Sequence, residues 1–173
     1  MTEPVETTLI LGGARSGKSH RALSLAEARA PQRVFIATAE ALDDEMSDRI
    51  ARHKDERGPG WETVEVPLDL VSALETHAHP DRICVVDCLT LWLSNLMHHG
   101  RDIEAETSAL CEVLLSACGP ILLVSNEVGL GLVPETPLGR SFRDAQGRLN
   151  QAVAGVCGTV EFVAAGLPLT LKG

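Results

Sequence analysis

The segment Gly12-Gly-Ala-Arg-Ser-Gly-Lys-Ser19 sets phosphate-handling residues at the spacing G-x4-G-K-S. Glycines let a backbone wrap with its N–H groups turned inward around phosphate oxygens. A helix that follows presents its positive end to the same point. Lys18 brings a mobile charge to β and γ phosphates, and Ser19 offers a hydroxyl to Mg²⁺. Gly12, Gly13, Ala14, Arg15, Ser16, Gly17, Lys18 and Ser19 are therefore candidate nucleotide contacts, and Lys18 is also a catalytic candidate. Asp87 closes the apolar run Ile83-Cys-Val-Val86 and is the natural second Mg²⁺ ligand beside Ser19. The same residue would serve as a helix cap, which Asp does well. The loop specifies a nucleotide and leaves the reaction open.

The elements that must position these groups alternate. Thr7–Leu11, Val34–Thr38, Trp61–Val66, Arg82–Val86 and Ile121–Val124 read as strands, with Thr159–Ala164 and Leu169–Lys172 as closing strands. His20–Ala30, a helix over about 43–57, Leu68–His77, Leu89–Met97, Ile103–Cys118 and Arg140–Val156 read as helices. On the last, Phe142, Ala145, Leu149, Val153 and Val156 share one face. Strands separated by helices imply an α/β fold, a mostly parallel sheet covered on both faces. The final two strands are too close for a helical crossover, so a hairpin should leave one antiparallel edge strand. The whole reads as an α/β three-layer sandwich of the P-loop NTPase (RecA-like) kind, with residues 1–173 forming one catalytic domain. Asn126–Gly139, rich in glycine and proline, is expected to be a structured loop at the sheet's ligand end, near substrate. Arg140, Arg143 and Asn150 on the next helix are expected to reach substrate or a neighbouring subunit.

The chain has 173 residues and a net charge of −9. That field repels DNA and RNA, and no basic stripe offsets it, so no nucleic-acid partner is expected. An anionic small substrate needs only a local positive cluster, for which Arg15, Lys18, Lys54 and Arg57 are candidates. No apolar window is long enough to span a membrane, and the acidic start lacks signal-peptide character, so a cytoplasmic location is expected. The odd number of cysteines, without CxxC pairs, reads as core thiols. His77-x-His79 and His98-His99 read as solvated turns rather than metal ligands.

Further segments carry a resemblance. They are Ile36-Ala-Thr-Ala39 with Asp43-Asp-Glu-Met46 and Arg49-Ile-Ala-Arg-His-Lys54; Asp87-Cys-Leu-Thr-Leu-Trp-Leu-Ser-Asn95; and Asn126-Glu-Val-Gly-Leu-Gly-Leu-Val-Pro-Glu135 with Phe142-Arg-Asp144 and Asn150-Gln151. With the phosphate loop, the sequence resembles the bifunctional adenosylcobinamide kinase/adenosylcobinamide-phosphate guanylyltransferase family over nearly its whole length. The resemblance implies two reactions. A triphosphate, ATP or GTP, phosphorylates the aminopropanol hydroxyl of adenosylcobinamide. GTP then gives GMP to that phosphate through a guanylylated histidine, releasing pyrophosphate and forming adenosylcobinamide-GDP. His53 matches that histidine. The resemblance also implies nucleotide contacts at Ala37, Thr38, Ala39, Lys54, Asp55, Glu56, Arg57, Glu65 and Asp87, with Mg²⁺ as cofactor and a homotrimer as assembly. Some relatives have a second His at the position of Arg52, and some have Glu at Asp87.

On its residues alone, His53 falls with Met46, Ile50 and Arg57 on one helical face and reads as a half-buried histidine facing the body. Two other functions fit the phosphate loop: a small-molecule kinase without a protein nucleophile, and a GTP-binding regulatory module. The sequence has no Asn-Lys-x-Asp guanine-reading motif.

Overall fold

The computed structural model describes residues 5–173, apart from the side chains of Arg49, His53 and Glu56. The chain runs β1 (Thr7–Gly12), α1 (Lys18–Arg29), β2 (Arg33–Ala37), α2 (Asp44–Glu56), β3 (Trp61–Glu65), α3 (Leu70–His77), β4 (Ile83–Asp87), α4 (Leu89–His98), α5 (Ile103–Leu115), β5 (Ile121–Asn126), α6 (Pro137–Val156), β6 (Thr159–Ala164) and β7 (Leu167–Lys172). The strands form one sheet in the order β3-β2-β4-β5-β1-β6-β7. Every neighbouring pair is parallel except β6 and β7, which form the expected antiparallel hairpin.

The apolar strands divide their side chains between two layers by their period of two. Leu9, Val34, Ile36, Cys84, Val86, Ile121, Leu123 and Val160 pack under α3, α4, α5 and α6, around the fully buried Trp92. Ile10, Phe35, Ile83, Val85, Leu122, Val124 and Val163 face the other way, towards Ala22 and Ala26 of α1. On α6, Ala145, Leu149 and Val153 are buried and Phe142 and Val156 lie against the same core, as the helical period predicts.

Several boundaries differ from the sequence reading. Helix α1 begins at Lys18, because Gly17 takes a left-handed conformation and stops the loop there. Helix α5 ends at Leu115, with Ser116 as its cap. Strand β5 continues to Asn126, and α6 starts at Pro137 with the Thr136 hydroxyl accepting from Gly139 N. The expected loop of 126–139 is thereby shortened to 127–136. Cys84, Cys88 and Cys157 are core thiols, whereas Cys118 is exposed beyond the end of α5. On α2, Asp43 caps Met46 N and acids fill the first turn. Met46 and Ile50 are only half-buried, however, and no described residue of α2 is buried, so its apolar stripe is covered more thinly than expected.

Candidate functional site

The sheet's register gathers the predicted residues along its carboxyl edge. Ala37 pairs with both Glu65 and Asp87, Asp87 with Val124, and Gly12 with Asn126. The ends of β3, β2, β4, β5 and β1 thus form one row, where ligands bind in open α/β sheets.

The phosphate loop leaves β1 at Gly12. A Cβ there would meet the Ser16 hydroxyl and come within 2.7 Å of Val163 O, so only glycine fits. Arg15 and Gly17 adopt left-handed φ values of 55° and 99°. Ser16 N donates to Gly13 O at 3.3 Å, closing the turn. Two neighbours fix the loop from outside: Glu127 N donates to Gly12 O at 2.9 Å, and Gly166 N to Ser16 O at 2.7 Å. Lys18 is buried with its Nζ donating to Gly13 O at 2.9 Å, while Ala14, Arg15 and Ser19 are exposed. Helix α1 has neither a capping side chain nor an acid in its first turn. Its free N–H groups and dipole favour an anion at this end.

Asp87 ends β4 but does not cap α4. Cys88 is the N-cap, its Sγ accepting from Leu91 N at 3.4 Å. The Asp87 carboxylate is half-buried, and its field reaches two neighbours. It opposes the burial that lowers the Arg57 pKa, and it adds to the burial that raises the Cys88 thiol. Lys18 acts on the same thiol in the opposite sense, which places lysine and aspartate around one point.

Arg57 is half-buried at the end of α2. Its guanidinium lies 3.8 Å from the Phe35 ring centroid and donates to Thr63 Oγ1 at 3.0 Å. Lys54 and Asp55 are exposed on α2, and Glu65 is exposed at the end of β3. Ala39 is half-buried. The side chains of His53 and Glu56 lie outside the described residues, although their backbone belongs to the second half of α2.

Thr38 is fully buried and its hydroxyl is committed to the protein. It donates to Cys88 O at 2.7 Å and accepts from Cys88 N at 2.8 Å. Asn95 Nδ2 holds this junction from α4, donating to Thr38 O at 2.8 Å and Pro67 O at 2.9 Å. A second polar cluster lies under β5. Ser125 Oγ donates to Asn150 Oδ1 at 2.6 Å, and Gln146 Nε2 donates to both residues. Asn150 Nδ2 donates to Asn126 O at 3.1 Å. The sequence offers Thr38 and Asn150 in other roles, and it gives no site role to Cys88, Ser125 or Gln146. Asn95, Gln146 and Asn150 on otherwise apolar buried faces were the available signal.

The expectations for α6 change accordingly. Asn150 is buried and turned into the core, so it does not reach outward, and half-buried Arg140 spends its Nη1 on Pro134 O at 2.9 Å and Glu135 O at 2.8 Å. Arg143 pairs with Asp144 at 2.9 Å. His79 meets Asp81 and His99 meets Glu40 at exposed turns, and no cluster of metal-ligating side chains occurs among the described residues.

Sheet order, carboxyl-edge row and glycine loop together define a P-loop nucleotide-binding protein of the α/β class. Solved structures share this architecture at low sequence identity. The ATPase EscN of the enteropathogenic Escherichia coli type III secretion system matches with a TM-score of 0.59 and 12% identity, over 93% of this chain and 43% of that one. The flagellar accessory protein FlaH of Methanocaldococcus jannaschii matches at 0.55 and 13%, over 96% and 78%. Within this class the chain belongs to the cobinamide kinase/cobinamide phosphate guanyltransferase family, whose model matches residues 8–171. It is 48% identical over 167 residues to the bifunctional adenosylcobalamin biosynthesis protein CobP of Pseudomonas aeruginosa, covering 95% of this chain and 96% of that one. It is 38% identical over 179 residues to CobU of Salmonella typhimurium, covering 95% and 98%.

Proposed function

We propose that this chain, as one catalytic domain, phosphorylates the aminopropanol hydroxyl of adenosylcobinamide and then transfers GMP from GTP to the new phosphate. The observation that carries the reading is the closed phosphate loop beside Asp87, in a chain matched to one family from residue 8 to residue 171. In phosphoryl transfer the protein chiefly positions and neutralises. The loop N–H groups and the start of α1 receive phosphate oxygens. Lys18 exchanges its bond to Gly13 O for the β and γ oxygens. The exposed Ser19 hydroxyl and the Asp87 carboxylate are hard oxygen donors of the kind Mg²⁺ takes. They are too few to hold it alone, which fits an ion that shares its ligands with a nucleotide. Such an ion would neutralise charge on the triphosphate.

Guanylyl transfer follows the family resemblance. A His53 nitrogen attacks the α phosphorus of GTP and pyrophosphate leaves. A cobinamide phosphate oxygen then attacks the same phosphorus and releases the histidine. Neutral imidazole is suited to both halves. Ala37, Ala39, Lys54, Asp55, Glu56, Arg57 and Glu65 stand in this reading as nucleotide contacts. Thr38 stands in this reading as a support for its neighbours, since its hydroxyl, N–H and carbonyl are all bonded within the protein. The short loop 127–136 lies on the acceptor side, its Leu130, Leu132 and Val133 exposed towards a large amphipathic substrate. The same reading has the enzyme act as a homotrimer in the cytoplasm, without nucleic acid. Among the described residues no helix is long and apolar enough to cross a membrane.

Intact-mass measurement after incubation with GTP and Mg²⁺ tests the nucleophile. Wild type should gain one GMP, labile in mild acid and stable in alkali, and His53→Ala should gain none while keeping much of its kinase activity. An adduct on His53→Ala, or none on wild type, leaves a kinase without a protein nucleophile. Lys18→Ala should lower both activities by about 10²–10³-fold, as expected for loss of a preorganised charge at the transferring group. Wild-type turnover in that variant refutes the phosphate site.

A further inference from the structure

We infer that Glu127 is the general base of the kinase reaction, taking the proton from the substrate alcohol as its oxygen attacks the γ phosphorus. This rests on the reading above, in which the triphosphate occupies the Gly12–Ser19 loop. Glu127 is the first residue beyond β5, the strand between β4 with Asp87 and β1 with the phosphate loop. Its backbone N–H donates to Gly12 O at 2.9 Å, so the residue is built directly onto the loop. The strand end beneath it is stiff. Asn126 N donates its hydrogen to Thr90 Oγ1 at 2.8 Å, and Asn126 O receives Asn150 Nδ2 from the buried Ser125–Gln146–Asn150 cluster. The Glu127 side chain is half-buried, and its Oε1 accepts from Gly129 N at 2.5 Å. That bond aims the carboxylate and leaves Oε2 for a ligand. Glu127 forms no ion pair with any described residue. A base on this site must lie beside the γ phosphate, be fixed in direction and keep a free lone pair. Glu127 is bonded to the loop through its backbone, aimed by Gly129 N and free of ion pairs with the described residues, whereas Asp87 lies one strand further from the loop and shares its field with Arg57.

The step balances without further reagents. The alcohol oxygen forms a bond to the γ phosphorus, and the bond from that phosphorus to the β,γ-bridging oxygen breaks. The nucleoside diphosphate leaves with the electron pair, and the alcohol proton passes to Glu127 and then to water. The second reaction makes no such demand, because its acceptor is a phosphate that is already anionic. The two activities of one chain therefore separate the role of Glu127 from a general need for the loop.

The test is Glu127→Gln, whose amide oxygen still accepts from Gly129 N but whose side chain is not a base. Kinase kcat with adenosylcobinamide and ATP should fall by about 10²-fold or more, with KM for either substrate changed less than about threefold. Guanylyl transfer from GTP to supplied adenosylcobinamide phosphate should stay within about threefold of wild type. Glu127→Asp, which keeps a carboxylate, should retain more kinase activity than Glu127→Gln. Parallel loss of both activities would make Glu127 a support for the nucleotide loop and overturn the proposal. So would a rise in KM alone, an unchanged kinase rate, or an Asp variant no better than the Gln variant. Lys18→Ala measured alongside reports on the phosphate site itself: retention of both activities there refutes the underlying reading whatever Glu127→Gln does.

Discussion

Replacing Thr38 by valine removes a hydroxyl from the buried junction between β2 and α4 while leaving its shape nearly intact. The wild-type hydroxyl donates to Cys88 O at 2.7 Å and accepts from Cys88 N at 2.8 Å. In Thr38→Val the Cys88 carbonyl keeps its helical bond from Trp92 N at 3.2 Å, so it stays satisfied. The Cys88 N–H loses its partner in a site closed to water. An orphaned buried donor costs about 1–3 kcal/mol, and the second lost bond adds about 0.5–1.5 kcal/mol. Their sum, about 1.5–4.5 kcal/mol, is a large part of the roughly 5–15 kcal/mol that stabilises a domain. Thr38→Ser keeps the hydroxyl and gives up one methyl, about 1 kcal/mol. Urea unfolding followed by circular dichroism should rank wild type above Ser and Ser above Val, with equal slopes. Affinity for GTP and Mg²⁺ should fall in the Val variant as well, because Asp87 adjoins the disturbed peptide. Equal stability of the Ser and Val variants would show that the hydroxyl does not hold the junction.

Gly12→Ala should fold poorly or lose nucleotide affinity by at least about tenfold, since its Cβ would meet the backbone carbonyl of Val163 as well as Ser16; unchanged binding by calorimetry would contradict the close approach. Arg21 holds the largely buried Glu161 with two bonds of 2.8 Å, so Arg21→Met should cost about 2–3 kcal/mol in chemical denaturation, below the range for a fully buried pair because Arg21 is a third exposed. The Arg21 bonds hold the Glu161 carboxyl below its usual range. Its contribution is therefore complete above the ordinary carboxylate pKa and is lost as pH falls through the lowered value. Arg21→Met should flatten that acid limb, and an unaltered limb would assign it to other groups. Asp87→Asn should lower both activities and weaken their Mg²⁺ dependence with little change in stability, because Cys88 rather than Asp87 caps α4. A large stability loss with unchanged Mg²⁺ dependence would reverse that assignment.

Much of this arrangement is legible from local pattern. The runs at Leu9, Val85 and Leu122 are apolar on both faces, as strands inside a parallel sheet must be, and the loop after β1 has one chemical use. The short step between β6 and β7 allowed only a hairpin. The start of α6 was also written locally, as Thr136 before Pro137, but the surrounding glycines and prolines outweighed it. What escaped depends on residues distant in the chain. Nothing local to Thr38 announces that its hydroxyl is bonded to Cys88, fifty residues on. Asn150 reads as outward-facing until β5 is placed beneath α6. Arg57 reads as part of the inward face of α2, but the ring of Phe35 under its guanidinium is visible only in the fold. Local periodicity carries no information about which strand neighbours which, and these three contacts follow from that order.

The position of β1 also sets a timetable for the protein's manufacture. Its partners are β5 and β6, so β1 has neither neighbour to pair with until at least residue 121 has been made. At roughly 5–20 residues per second that interval lasts several seconds or more, during which Thr8–Leu11 offers an unpaired apolar edge. The loop it leads into is completed later still, because Gly12 waits for Glu127 and Ser16 waits for Gly166. A nascent chain stalled before Gly166 should not yet retain a triphosphate, and translation arrest at staged lengths with capture on immobilised GTP would time the onset of binding. Chaperone dependence should likewise track the exposure of the amino-terminal strand rather than the hydrophobicity of the finished surface.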